Sequence, residues 1–284
     1  MTPVPAGRGE DGVPSLAGAA GVAALHRYGP HERQVAELHL PAARRTDGVA
    51  VLVHGGFWRP GAADGSRTYD RRLQDHVAAD LLAAGVPVWL VEYRAVGRGG
   101  GWPTTLEDAA AALDLLVDVA PAAGLDAARA VVVGHSAGGH LAGWSAARDA
   151  LPEGAPGASP RLHPLAVVAQ AGVLDLVAGH AADLGGGAVA GLLGGSPEEV
   201  PERYAQASPA ALVPAAAPVL SVTGDRDDVV PPDQGERYAE AARAAGADDV
   251  RVALVPGEDH FSQLDPSSRC WALVRAEVLS RLGA

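Results

Sequence analysis

Ser136 stands in the run Gly134-His135-Ser136-Ala137-Gly138, directly after the apolar residues 130–133 and ahead of a small-residue stretch that reads as a helix. A strand, a sharp turn and a helix in that order lift a serine hydroxyl clear of the backbone, and the flanking glycines permit a turn too tight for side chains. Such a hydroxyl is open to a histidine on one side and a substrate carbonyl on the other. It is a weak nucleophile at neutral pH until a base takes its proton. The chemistry implied is acyl transfer through a nucleophilic serine, and hence hydrolysis.

The base must accept the serine proton and return it to the leaving group. His260, in Gly257-Glu258-Asp259-His260-Phe261, is the candidate. His135 is next to the serine but is turned elsewhere by a tight bend, His140 belongs to the following helix, and His54 sits in a glycine loop where it braces backbone. A carboxylate must then hold the imidazole in the correct tautomer. The loop Gly224-Asp225-Arg226-Asp227-Asp228-Val229-Val230-Pro231 offers Asp227, third after the glycine, with Asp228 as the next choice and Asp225 as a brace of the turn. Attack builds charge on the carbonyl oxygen, and each backbone N–H fixed beside it stabilises that charge by about 3–4 kcal/mol. Ala137 should supply one donor and the Gly55-Gly56-Phe57 loop the other. Phe57, Trp58, Trp102, Trp144 and Phe261 are the aromatics placed to line a substrate pocket, Trp58, Trp102 and Phe261 foremost, although each also suits core packing.

Composition narrows the alternatives. The net charge of −12 argues against nucleic acid and anionic membranes as partners, since both require clustered positive charge. All 22 basic residues are arginine, which removes a lysine Schiff base, a pyridoxal phosphate anchor and a P-loop lysine together. No GxGxxG follows a strand, and neither an HExxH nor a cysteine cluster occurs, so no cofactor and no metal are expected. The single cysteine, Cys270, excludes an internal disulfide and reads as a buried helix residue. The mildly apolar stretch 13–25 is too short to span a membrane and lacks the basic front of a secretory signal, which points to the cytoplasm.

The elements that must position these side chains follow from periodicity. Strands are predicted at 34–40, 49–53, 86–91, 130–133, 165–170, 219–223 and 250–255, and helices at 69–84, 103–121, 137–150, 231–246 and 266–282. Repeated βα units imply an α/β fold, a mostly parallel sheet with helices on both faces. His54, Ser136, Asp227 and His260 all lie just past strand-like runs, so they should gather at the carboxyl edge of the sheet, where such sheets bind ligands. Residues 1–30 read as a peripheral arm and 31–284 as a single domain, with a glycine-rich, lid-like insertion over 173–212. A homodimer is compatible with this organisation.

The order Ser, Asp, His along the chain is that of α/β-hydrolases. The chain resembles the HGG-containing esterase and arylformamidase branch of that superfamily. The likeness rests on Tyr28-Gly29-Pro30-His31, His54-Gly55-Gly56-Phe57-Trp58, Trp102-Pro103, Gly134 through Ala142, Ser208-Pro209, Gly224 through Pro231 and Asp259-His260-Phe261. It implies a metal-independent serine hydrolase with the small α/β-hydrolase lid, acting on a small-molecule ester or amide. The leading expectation from the resemblance is hydrolysis of N-formylkynurenine to kynurenine and formate. The alternatives are a broad carboxylesterase or acetyl esterase and, from another class, a non-catalytic ligand-binding protein on a hydrolase scaffold.

Overall fold

The central strand reads VAVLV over Val49–Val53, and all five residues are buried. Val49, Val51 and Val53 belong to one core cluster, whereas Ala50 and Leu52 belong to the other. A strand that is apolar on both faces must be covered on both, which dictates a layered α/β arrangement. The next strand divides in the same way, with Val132 on one face and Val131 and Val133 on the opposite one.

The computed structural model describes residue 16, residues 20–62 and residues 65–284. Among them, β1 (Ala20–Arg27), β2 (Val35–Pro41), β3 (Val49–Val53), β4 (Val88–Val91), β5 (Ala130–His135), β6 (Ala166–Gln170), β7 (Val219–Gly224) and β8 (Val250–Val255) form one sheet in the order β1-β2-β4-β3-β5-β6-β7-β8. β2 pairs antiparallel with both β1 and β4, and every other pair is parallel. The helices α1 (Asp75–Ala83) and α8 (Arg269–Leu282) cover one face. The helices α2 (Thr104–Val119), α3 (Ala137–Ser145) and α7 (Gln234–Ala244) cover the other. Between β6 and β7, three short helices α4 (Leu176–Ala181), α5 (Ala188–Leu193) and α6 (Pro201–Ala207) pack into the same core as α3. No helix among the described residues is long and apolar enough to cross a membrane.

The helix expected over 137–150 ends at Ser145, ahead of a 3₁₀ turn at Arg148–Ala150, and three further elements differ from the sequence-based expectation. Part of the presumed arm, residues 20–27, is the edge strand β1; residues 1–15 and 17–19 of that arm lie outside the described residues. An edge strand has one neighbour, so its sequence need not carry the apolar signal of a buried one. The helix expected over 69–84 opens as a 3₁₀ turn, Arg71–Gln74, because Asp70 caps it by accepting from Arg72 N. β5 runs two residues past its valines, since Gly134 still pairs with Val53 and His135 with Gln170.

That extension brings strand and helix into backbone contact. A Cβ on Gly134 would stand 2.0 Å from Gly138 O, and one on Gly138 would stand 2.1 Å from Val53 O. Both obstacles are backbone atoms, which cannot swing aside. Gly134→Ala should therefore destabilise the fold by about 1–3 kcal/mol or more. Chemical denaturation measures this, and an unchanged midpoint would show that the turn after β5 has room for a methyl group.

Candidate active site

Ser136 occupies the turn between β5 and α3 with φ 56° and ψ −118°, a conformation that L-residues rarely adopt. Such strain costs on the order of 1–3 kcal/mol and persists only where the surroundings enforce it. Here they do. Ser136 N donates to Gln170 O at 2.8 Å, and Ser136 O accepts from His140 N at 3.0 Å. The side chain lines a small cavity of about 40 Å³, together with Gly56, Phe57, His135, His260 and Phe261. Its hydroxyl has no hydrogen-bond partner among the described residues.

His260 follows β8 and is buried. Its Nδ1 lies 2.8 Å from Asp227 Oδ2, and the carboxylate side chain is fully buried. A carboxylate only accepts, so Nδ1–H donates, and in the neutral ring the lone pair is then on Nε2. The other carboxylate oxygen accepts from Val229 N at 2.9 Å and Val230 N at 2.8 Å, which fixes the plane in which the imidazole is held. The remaining acids of these loops are occupied elsewhere. Asp225 accepts from Gly257 N, Asp228 is exposed, Glu258 pairs with Arg269, and Asp259 accepts from Phe261 N and Ser262 N.

Of the residues expected to supply backbone donors, Gly56 and Phe57 line the cavity, and Ala137 follows Ser136 in the chain. Ala137 is the first residue of α3, where an N–H has no intrahelical acceptor. Gly56, at φ 114°, and Phe57, at φ 54°, both line the cavity, and a Cβ on Gly56 would run into the Tyr69 ring. Gly55 lies directly beneath, where a Cβ would sit 2.9 Å from His135 O and 3.0 Å from Ser136 Cβ.

Of the aromatics expected in the pocket, Phe57 and Phe261 line it, while Trp144 is fully buried and its indole N–H donates to Gln206 O. Trp58 is 1 % exposed, and its indole N–H donates to His140 Nδ1 at 3.2 Å. Trp102 is half-buried against the core, and its backbone N–H donates to Leu192 O. The correction has a simple cause: an indole carries one donor and a large apolar surface, and both are satisfied more fully inside than at a mouth. Tyr69, Leu73 and Val229 line it as well.

Several residues that hold the site gave little signal in the sequence. His135 Nε2 donates to His260 O at 3.0 Å, so the residue beside the serine fastens the backbone of the paired histidine. Burial, and then the neighbouring His260 imidazole, push the His135 pKa down to about 3, which keeps the ring a neutral donor. His140 Nε2 donates to Ala207 O at 2.9 Å while Nδ1 accepts from Trp58. Burial lowers its pKa to about 4, so it links the Gly55-Gly56 loop, α3 and α6 as a neutral ring. Behind that loop, buried Glu92 accepts from His54 Nε2 at 3.1 Å, Arg33 Nε at 3.0 Å and Arg71 N at 3.0 Å. Burial alone would raise its pKa, but the His54 and Arg33 side chains outweigh it and hold the carboxyl near 2. His54 itself stacks on Tyr93 at 4.2 Å and reaches its own loop through Nδ1 to Gly55 O at 2.7 Å.

The segment 173–212 meets the site through Arg59, whose guanidinium donates to Gly185 O at 2.7 Å and Gly186 O at 2.9 Å. No group of three or more His, Cys, Asp or Glu among the described residues could hold a metal ion.

Comparison with known proteins places this geometry in context. Residues 36–241 match the family model described as BD-FAE. An ethyl acetate hydrolase of Pseudomonas putida is 43 % identical over 96 residues, which is 34 % of this chain and 28 % of that protein. The match therefore spans under a third of that relative's length. Among solved structures, a truncated carbohydrate esterase from gut microbiota superposes with a TM-score of 0.73 at 20 % identity, covering 98 % of this chain and 100 % of the other. Esterase B of Lactobacillus rhamnosis, inhibited by a tributyrin phosphonate, gives a TM-score of 0.76 at 20 % identity, with 93 % and 86 % covered. Likeness at this identity shows the fold, which is that of the α/β-hydrolases.

Two outcomes follow from the site. Asp227→Asn should lower kcat far more than Asp225→Asn or Asp228→Asn, by on the order of 10³–10⁴-fold, because only Asp227 reaches the imidazole. Steady-state kinetics of the three variants decides, and equal losses would contradict the assignment. Glu92 has a folded pKa depressed to about 2 from 4.5, so it stabilises the fold above its unfolded pKa and loses that contribution as pH falls toward 2. Glu92→Gln should flatten the acid limb of the stability curve between about pH 4.5 and 2, and an unchanged limb would contradict this.

Proposed function

The chain belongs to the BD-FAE family, and on that premise we propose that it is a serine esterase with a short-acyl preference. The observation that carries the proposal is the buried His260–Asp227 pair, joined at 2.8 Å beside the cavity that Ser136 lines. In this reading His260 Nε2 takes the Ser136 proton as Oγ attacks the ester carbonyl. The N–H groups of Ala137 and of the Gly56-Phe57 turn stabilise the oxyanion. The imidazolium then protonates the leaving alcohol, and an acyl-serine remains. Water, deprotonated by the same imidazole, attacks the acyl group and restores the serine. Asp227 keeps the ring in its tautomer and stabilises its charged form.

The size of the cavity supports the short-acyl preference. Its volume is about 40 Å³, and Ser136, Phe57, Leu73 and Val229 are among its walls. The names of the compared proteins agree: an ethyl acetate hydrolase and several esterases, including an acetyl ester-xyloside bifunctional hydrolase from Caldicellulosiruptor lactoaceticus. The carboxylesterase reading thus has more support than the N-formylkynurenine reading drawn from resemblance. The aromatic pocket that would favour a kynurenine is reduced by the burial of Trp58. We read segment 173–212 as the lid of this site, tethered by Arg59.

Ser136→Ala should cut turnover of p-nitrophenyl acetate by roughly 10⁴-fold or more without changing the circular dichroism spectrum. The wild-type protein should prefer the acetate ester to the decanoate ester and to N-formylkynurenine in kcat/KM. Retained turnover in Ser136→Ala, or a preference for either rival substrate, would contradict the proposal.

A further inference from the structure

The walls of the Ser136 cavity are apolar or neutral at one position after another: Phe57, Leu73, Val229 and Phe261 bring carbon, and Gly56 brings only backbone. Arg67 is the exception, since it is the wall residue that carries a permanent charge. Its guanidinium carbon stands 5.7 Å from the centre of the Phe261 ring, over a residue that is 54 % exposed. Stacking of this kind holds the cation at one height over the ring while leaving its N–H edge open. The position of the residue is also set by backbone. Arg67 O accepts from Ala62 N at 2.8 Å, and Tyr69 N donates to Pro60 O at 3.0 Å, so backbone pairing with residues 60–62 holds Arg67 in place.

The arginines around it are spoken for. Arg33 and Arg71 serve Glu92 and Glu37, Arg72 serves Glu37 and Asp75, and Arg59 serves two carbonyls. Arg67 makes no ion pair with any described carboxylate. In a chain of net charge −12, an exposed cation ordinarily attracts one of the many acids. A guanidinium held over an aromatic ring at the edge of this cavity, with no carboxylate paired to it among the described residues, is suited to receive a carboxylate from outside.

We infer that Arg67 selects substrates, and that the preferred ester carries a carboxylate on its leaving alcohol. The assignment to the alcohol follows from exposure. Arg67 and Phe261 are the exposed residues of the lining, so the part of a short-acyl ester that reaches them on its way to solvent is the leaving alcohol. A planar leaving group bearing a carboxylate would lie along the Phe261 ring and meet the guanidinium edge-on in a bidentate pair. Arg67 acts as a specificity residue and takes no part in the proton transfers. This inference rests on the esterase reading above.

The test uses a matched pair of acetate esters, 4-acetoxybenzoate and its neutral analogue 4-acetoxybenzamide. Wild-type protein should show a kcat/KM ratio of about five- to tenfold in favour of the anion, expressed in KM and shrinking as salt is raised. Arg67→Gln should bring the ratio to about one, and Arg67→Lys should restore part of it, since lysine keeps the charge but not the bidentate fork. Thermal unfolding of both variants checks that the exposed substitution leaves the fold intact. A ratio that is already one in the wild type, or that survives Arg67→Gln, would overturn the role of Arg67 while leaving the esterase reading in place. Failure to hydrolyse either ester would overturn the esterase reading, and this inference with it.

Discussion

The structure depends on a crowding of backbone upon backbone at the turn after β5. Gly134 abuts the carbonyl of Gly138, Gly138 abuts the carbonyls of Val53 and His54, and Gly139 lies against Cα of Gly172. Three loops, those following β3, β5 and β6, are thereby drawn to one point. No side chain larger than hydrogen fits between them, so their separation is set by van der Waals contact of the main chain itself. The strained conformation of Ser136 is a consequence of this packing. The turn cannot relax without separating the loops, and the buried core on both faces of the sheet resists that separation.

Around this fixed point, neutral histidines and one buried carboxylate do the holding. His135 reaches to the backbone of His260, and His140 joins Trp58 to the end of α6. Glu92 gathers His54, Arg33 and Arg71 behind the glycine loop. A neutral imidazole offers one donor and one acceptor, and His140 uses both to connect Trp58 with Ala207. Burial keeps His135 and His140 neutral, which preserves that bridging role. The acidic charge of the chain is kept away from the cavity wall, where Arg67 is the permanent charge.

Much of this was legible in the sequence, for identifiable reasons. The strands β3, β5, β6, β7 and β8 announced themselves because runs of valine bounded by glycine have few other uses. Asp227 could be chosen over Asp225 and Asp228 because the spacing from Gly224 sets which acid turns inward, and Asp227 is the one that meets the imidazole. What was not legible depended on contacts between distant segments. Nothing local tells an indole at 58 that it will meet a histidine at 140, so Trp58 read as a pocket residue. Glu92 follows a buried strand and carries no motif; its importance comes from Arg33, His54 and Arg71, which approach from three other segments. Arg67 gave no signal at all, because its significance lies in an aromatic ring 194 positions away.

The account stands on Ser136 being the nucleophile that the Asp227–His260 pair activates. The most direct measurement is to treat the protein with a fluorophosphonate and locate the adduct by mass spectrometry of its peptides. The account predicts a single stoichiometric adduct on Ser136, with loss of esterase activity in proportion. An unlabelled protein, or a label on another residue with activity retained, would contradict it.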